Sequence, residues 1–295
     1  MTTIYFISTK NIGELQHWVQ HYLSSINPGV NTYSLNLLYS DLVNQHYLKL
    51  CLVNTLVTDR LYDDLRQASL QQRFDFFIKP ATLPAQGLIA FDMDSTFVQE
   101  EGVDEIARAL GISEHISALT RQAMEGRLDF DTSFTQRIQL LKGTPLTLLH
   151  DVCARMTISP GISRILPLLR HKGFKTAIIS GGLDIFTQGL QQKYQIDYVF
   201  SNTLEMENNV LTGNVKSPIM NAQLKQQTLH QLALSLQLAP HQIIACGDGA
   251  NDLPMLAHAG TGIAWKAKPK VRSQIRNQIN FHGFESLLFF IDDKL

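Results

Sequence analysis

Three short apolar runs, each closed by a polar or glycine tip, constrain this chain more than any other feature. They are Leu88-Ile89-Ala90-Phe91 before Asp92, Thr176-Ala177-Ile178-Ile179 before Ser180, and Ile243-Ile244-Ala245-Cys246 before Gly247-Asp248. A continuous apolar run suits a strand buried on both faces, the condition of a parallel sheet. Helical spacing lies between the runs, over residues 163–172, ending at Gly173 in a C-cap position, and over residues 224–236. The expected core is therefore a three-layer α/β fold with a Rossmann-like parallel sheet. Ligands of such sheets bind beyond the carboxyl ends of the strands, so the three tips should meet at one site.

A length of 295 residues suggests two domains, or one large domain with an insertion. The strongest break is Pro80-Ala81-Thr82-Leu83-Pro84-Ala85-Gln86-Gly87, which divides the chain into residues 1–82 and 83–295. Before it, residues 3–8, 32–38, 47–53 and 74–78 read as strands, and 14–23 and 59–70 as helices. That order, β-α-β-β-α-β, predicts a small, self-contained ferredoxin-like α+β domain. After the first apolar run, a mostly helical stretch of about residues 101–156 is too long for a plain crossover. It reads as an inserted cap over the site.

Composition narrows the function classes. Net charge is −1 and no basic stripe occurs, so nucleic acid is not an expected partner. No apolar run approaches the ~20 residues that span a bilayer, and Met1 to Phe6 lack the pattern of a signal peptide. Cys51, Cys153 and Cys246 have neither metal spacing nor a disulfide framework. A soluble cytoplasmic protein without a membrane partner is expected.

Four motifs carry chemistry. In Asp92-Met93-Asp94-Ser95-Thr96, extended backbone turns both acids to one side. Two carboxylates so close are costly unless a cation intervenes or one is protonated. A hard cation such as Mg²⁺ suits their oxygens. Ser180-Gly181-Gly182 offers a hydroxyl and closely approaching N–H groups to a phosphate. Lys225 opens a helix and can reach back to neutralise phosphate charge. Gly247-Asp248-Gly249-Ala250-Asn251-Asp252 sets two acids and an amide on a tight turn, where Asp248 can complete a metal site. Singly, the first is as well explained by an acidic turn, and the second and third are weaker still, as loop glycines and a surface lysine; the glycine turn is the more specific of the four.

In this order and spacing the four motifs resemble those of the haloacid dehalogenase superfamily, from about Gly87 to the C-terminal region. Within it, the segments 94–96, 101–105, 124–130, 247–255 and 264–271 resemble the phosphoserine phosphatase family. The resemblance implies Mg²⁺-dependent hydrolysis of L-phosphoserine, a small-molecule substrate, through an aspartyl-phosphate. Asp92 would be the nucleophile and Asp94 the general acid and base. The metal would be held by the Asp92 and Asp248 carboxylates and the Asp94 carbonyl. Ser180, Gly181 and Lys225 would bind the phosphoryl oxygens, with Gly182 in support. Asn251 would help bind substrate, and Asp252 would orient metal waters or Lys225. Glu101 would take the substrate ammonium and Arg137 its carboxylate, while Met124 and Phe130 close over it. A solvated helix face for Arg137 and cap core for Phe130 are the plain structural readings beside these.

Other readings are a phosphatase or phosphotransferase for another small phosphomonoester, such as phosphothreonine, phosphohomoserine or phosphoethanolamine. A dinucleotide-binding module is disfavoured because the glycine turn ends in Asp252 where that fingerprint needs a small residue, and no GxxxxGK[ST] occurs. An inert serine sensor is disfavoured because every catalytic position is filled. The N-terminal module looks like a small ACT-type domain, with residues 9–15 at the ligand loop; a domain that only mediates a homodimer, or one that has lost its ligand, is favoured over a regulatory one. His17 and His21 share a helix face at a spacing that can bind zinc, but with no third ligand they are expected to face solvent.

Overall fold

The computed structural model describes residues 2–292 except 9, 27–32, 42–44, 54–57, 81 and 126, and all their side chains except those of residues 25, 26 and 124. The first unit comprises β1 (Thr2–Ser8), α1 (Ile12–Ile26), β2 (Tyr33–Ser40), β3 (Gln45–Leu52), α2 (Asp59–Gln72) and β4 (Phe74–Ile78). Its sheet runs β2-β3-β1-β4, antiparallel throughout, which is the ferredoxin-like arrangement. Strand alternation sorts its residues. Ile4, Phe6, Leu48 and Leu50 face the two helices through Leu15, Val19, Leu61 and Leu65.

The opposite face is not free, and here the expectation of a self-contained module is corrected. Tyr5, Ile7, Tyr47 and Phe77 share a core with the C-terminal 3₁₀ segment Phe284–Phe290. The Phe289 ring lies 4.9 Å from Tyr5, 5.4 Å from Tyr47 and 5.2 Å from Phe77. Burying each such ring contributes roughly 2–3 kcal/mol. Asp75, in the same sheet, is fully buried and accepts N–H bonds from Asn280, Phe281 and His282 at 2.9, 3.0 and 3.0 Å. The His282 Nδ1 lies 2.9 Å from the same carboxylate. The run Leu287 to Ile291 is apolar because it fills the gap between two sheets.

The larger unit begins with β5 (Leu88–Phe91) and the turn Met93–Phe97, followed by α3 (Gly102–Leu110), α4 (Ser113–Met124), α5 (Phe130–Gln139) and α6 (Leu146–Arg155). The chain returns through α7 (Ile162–His171), β6 (Lys175–Leu183), α8 (Asp184–Tyr194) and β7 (Tyr198–Asn202). A hairpin of β8 (Leu204–Glu207) and β9 (Val210–Val215) precedes α9 (Ala222–Ser235). Then come β10 (Ile243–Gly247), α10 (Leu253–His258), β11 (Thr261–Trp265), α11 (Pro269–Arg272) and β12 (Asn277–Ile279).

Six strands form a parallel sheet in the order β12-β11-β10-β5-β6-β7. One face, with Ile89, Phe91, Ile178 and Ile244, packs on α7, α8 and the 3₁₀ segment. The other carries Ala90, Ala177, Ala245 and Ala264 beneath Leu229, Leu232 and Met255 of α9 and α10. Short alanine side chains let those two helices lie close to the sheet. Register pairs Phe91 with Cys246 on one side and Ile178 on the other, so the three tips emerge level with one another. The hairpin β8–β9 was not legible in advance. It joins the cap: Gly143 N–H donates to Leu211 O and Leu146 N–H to Asn209 O, both at 2.9 Å.

Candidate active site

Asp92 follows β5 directly and continues the ladder, its N–H donating to Cys246 O at 2.9 Å. Asp94 keeps extended backbone, and Ser95 follows with φ +54. A left-handed conformation at a non-glycine residue is strained, and such strain gathers at functional sites. It is held by Ser95 Oγ–H donating to Glu101 Oε1 at 2.8 Å. The Asp94 carboxylate accepts the Gly102 N–H, at the first turn of α3, at 2.8 Å. A helix N-terminus favours that negative charge. Any side chain at Gly182 would collide with the other Asp94 oxygen, 2.6 Å from where its Cβ would lie. Glycine there is what lets the Ser180–Gly182 segment approach the acid. Ser180 is fully buried and its Oγ accepts the Gly182 N–H at 2.8 Å.

Lys225 enters from α9. Its ammonium is completely buried and donates to Asp92 Oδ1 at 2.6 Å and Asp252 Oδ1 at 2.7 Å. Burial opposes the charge, but the two carboxylates outweigh it and hold the lysine above its usual range, so it stays protonated. The other Asp252 oxygen accepts the N–H groups of Asp248 and Gly249 at 3.1 and 3.0 Å. Asp252 therefore orients Lys225 and the Asp248 turn together, and both its oxygens are committed.

The site holds more acid than base. Oxygens of Asp92, Asp248 and Asp252 lie within 4.8 Å of one another. Burial, then Asp252, pushes Asp92 well above the usual carboxylate range despite Lys225. Burial lifts Asp248 to about 6, with Lys268 pulling the other way. Burial, then Glu101, lifts Asp94 to about 7 against the Gly102 bond. Four carboxylates thus face the buried Lys225 and the half-exposed Lys268, whose Nζ lies 3.4 Å from Asp248. An all-oxygen donor set with excess negative charge fits a divalent cation. With Asp252 already committed, Asp92 and Asp248 are the side chains positioned to hold it.

The cap supplies the far wall. Asp129 caps α5, accepting the Thr132 N–H at 2.8 Å. Phe130 follows, stacked on Phe134, with its ring edge against Gly181. Nearly two turns beyond Phe130, Arg137 turns inward. Its Nε is buried without a hydrogen-bond partner, and its guanidinium feels Asp104, Glu101 and Asp94. Burial holds its pKa below the usual arginine value. Glu101, at the N-cap of α3, stands on the rim and is exposed. Asn251 sits on the short turn Ala250–Asp252 beside Gly249. Met124 ends α4, and its side chain lies outside the described residues.

Sequence reasoning gave no role to Lys268, although its segment was singled out; its backbone N–H also donates to Asp248 O at 3.0 Å. It passed over Asn202 and Asn221 altogether. In the N-terminal unit His17 Nδ1 bonds Gly13 O at 2.8 Å within its own helix, and His17 and His21 face solvent. Thr9, at the start of the expected ligand loop, lies outside the described residues. Among the described residues no helix is long and apolar enough to cross a membrane.

A haloacid dehalogenase-like hydrolase model matches residues 89–257. A phosphoserine phosphatase of Haemophilus influenzae is 41% identical over 206 residues, 70% of this chain and 66% of that one. A HAD family hydrolase of Salmonella enterica serovar Typhi has a solved structure that is 61% identical, with both chains covered at 100% and a TM-score of 0.96. A solved phosphoserine phosphatase carrying a phospho-aspartyl intermediate analogue is 34% identical, with a TM-score of 0.66 over 70% of this chain and 99% of that one. The chain spans 66%, 59% and 65% of the lengths of the curated relatives from H. influenzae, Archaeoglobus fulgidus and Vibrio cholerae.

Proposed function

The chain belongs to the haloacid dehalogenase-like hydrolases, and from that membership we propose that it is a Mg²⁺-dependent phosphatase converting L-phosphoserine to L-serine and phosphate. Asp92 attacks phosphorus in line, forming an aspartyl-phosphate as the bond to the seryl oxygen breaks. Asp94, raised to about 7, carries the proton that the departing seryl oxygen needs near neutral pH. The same carboxylate then takes a proton from the water that attacks phosphorus and releases Asp92. Lys225, fixed by Asp252, steers Asp92 and offsets phosphoryl charge, while Ser180 and the Gly181 N–H bind phosphoryl oxygens. Asp92, Asp248 and the Asp94 carbonyl would hold the Mg²⁺, which would supply the neutralisation that lets an anionic carboxylate approach an anionic phosphoryl group.

One observation carries the substrate: the Arg137 Nε on the cap is buried without a hydrogen-bond partner, and its guanidinium feels the charges of Asp104, Glu101 and Asp94. A guanidinium suits a carboxylate and Glu101 suits an ammonium, and phosphoserine presents both on the carbon chain that bears the phosphate. The names of the relatives support the same reading. Phosphate release from L-phosphoserine, phosphothreonine, phosphoethanolamine and an aryl phosphate tests it, with and without EDTA. A strong preference for phosphoserine, lost with EDTA, is expected. Preference for phosphoethanolamine would overturn the substrate, since that molecule leaves Arg137 unused.

The chain also pairs with a second copy along β2. This strand lies at the sheet edge and reads YSLNLLYS, without a charge, and exposes Tyr33, Leu37 and Tyr39. Uncharged apolar edges pair unless protected. Leu37→Lys should convert a dimer to a monomer in analytical ultracentrifugation; a monomeric parent chain would refute the pairing.

A further inference from the structure

Asn221 joins two regions that the reaction must bring together. It is the N-cap of α9, the helix that delivers Lys225, and its Oδ1 accepts the Leu224 N–H at 3.1 Å. Its Nδ2 points the other way, to both carboxylate oxygens of Asp131 on the cap, at 3.2 and 3.3 Å. Asp131 directly follows Phe130, whose ring lies against Gly181 of the phosphate loop.

The core end of this link is anchored. Asn202, almost wholly buried at the end of β7, donates from Nδ2 to Gly181 O at 2.8 Å. Its Oδ1 accepts the Met220 N–H at 2.7 Å. One amide therefore pins the residue before Asn221 to the phosphate loop. With that base fixed, making or breaking the Asp131 bond changes the position of the cap rather than that of α9.

We propose that Asn221 is a positioning residue that latches the closed cap to the phosphate end of the core, with Asp131 as its partner and Asn202 as its anchor. Engaging Asp131 sets Phe130 over Gly181, and it brings Arg137, less than two turns further along α5, to the substrate side. The kinetic consequence rests on the phosphatase reading; the contact itself does not.

The test is Asp131→Ala, Asn221→Ser and the double variant, assayed on whichever phosphomonoester the parent chain hydrolyses fastest. Serine keeps an N-cap acceptor but lacks the amide donor. Each single change should raise KM about tenfold and leave kcat within about twofold, and the double variant should add little, because both remove one interaction. Asp131→Asn keeps one acceptor oxygen and should restore most of the KM. An unchanged KM in Asp131→Ala, or additive single effects, would overturn the latch. Hydrogen exchange of α5 with inorganic phosphate and Mg²⁺ present gives a readout independent of turnover. Faster exchange in Asp131→Ala than in the parent supports the latch even if no phosphomonoester is hydrolysed; equal exchange refutes it.

Discussion

Two buried acidic regions of this molecule follow opposite rules. At the junction of the two units, the Asp75 carboxylate receives three backbone N–H groups and the Nδ1 of His282. Both oxygens of that carboxylate are matched by donors, although the far nitrogen of the His282 ring, Nε2, is buried without a hydrogen-bond partner. At the strand tips, Asp92, Asp94, Asp248 and Asp252 outnumber their partners, and three of them are pushed above the usual carboxylate range. Buried charge is tolerated when satisfied, and an unsatisfied surplus marks a place built for something that arrives later. The first region holds the structure together, and the second spends stability on chemistry.

The comparison breaks most sharply at Asp92. Asp92→Asn should lower kcat at least ~10³-fold, about 4 kcal/mol of barrier. Its melting temperature without metal should be unchanged or higher, because the substitution removes a repelled charge. Asp75→Ala should do the reverse. It orphans three N–H groups and an imidazole and should cost about 3 kcal/mol, read as a lower melting temperature, with kcat/KM of the folded protein retained. If Asp75→Ala abolished turnover at full stability, the division into structural and functional acids would be wrong.

Arg137→Ala sharpens the second region. Losing a carboxylate fork should raise KM for phosphoserine by about 2 kcal/mol, roughly thirtyfold, and leave phosphoethanolamine hydrolysis nearly unchanged. The smallest effect is in pH. Asp248 and Asp94 are raised from 3.8 to about 6 and about 7. Between pH 4 and those values the folded chain therefore binds more protons than the unfolded chain. These two groups make the metal-free protein less stable as pH rises through that window. Melting scans at pH 5 and 7.5 should show greater stabilisation by Mg²⁺ at the higher pH; equal stabilisation would contradict the surplus of charge.

Much of the second region was legible in sequence, and little of the first. Continuous apolar runs announced β5, β6 and β10, and their tips carry Asp92, Ser180 and Asp248 because ligands gather at the carboxyl ends of parallel strands. Local spacing also suggested the ferredoxin-like order, because each of its strands and helices has its own period. Asp75 gave no such hint. Its partners lie more than 200 residues away in sequence, and no local pattern encodes that distance. Asn202 and Asn221 were hidden for a similar reason, as each acts between segments that meet only in the fold. The β8–β9 hairpin was missed because Leu204-Glu205-Met206-Glu207 is short and largely exposed, and its packing partner is the cap.

The central claim is that Asp92 takes the phosphoryl group within an over-acidic pocket that a divalent cation completes. Acid quenching during turnover with phosphoserine and Mg²⁺, followed by peptide mass spectrometry, tests it directly. The account predicts one phosphoryl group on the peptide containing Asp92, absent with EDTA and absent in Asp92→Asn. Full-rate phosphate release with no phosphorylated peptide, or with the phosphoryl group on another residue, would contradict it.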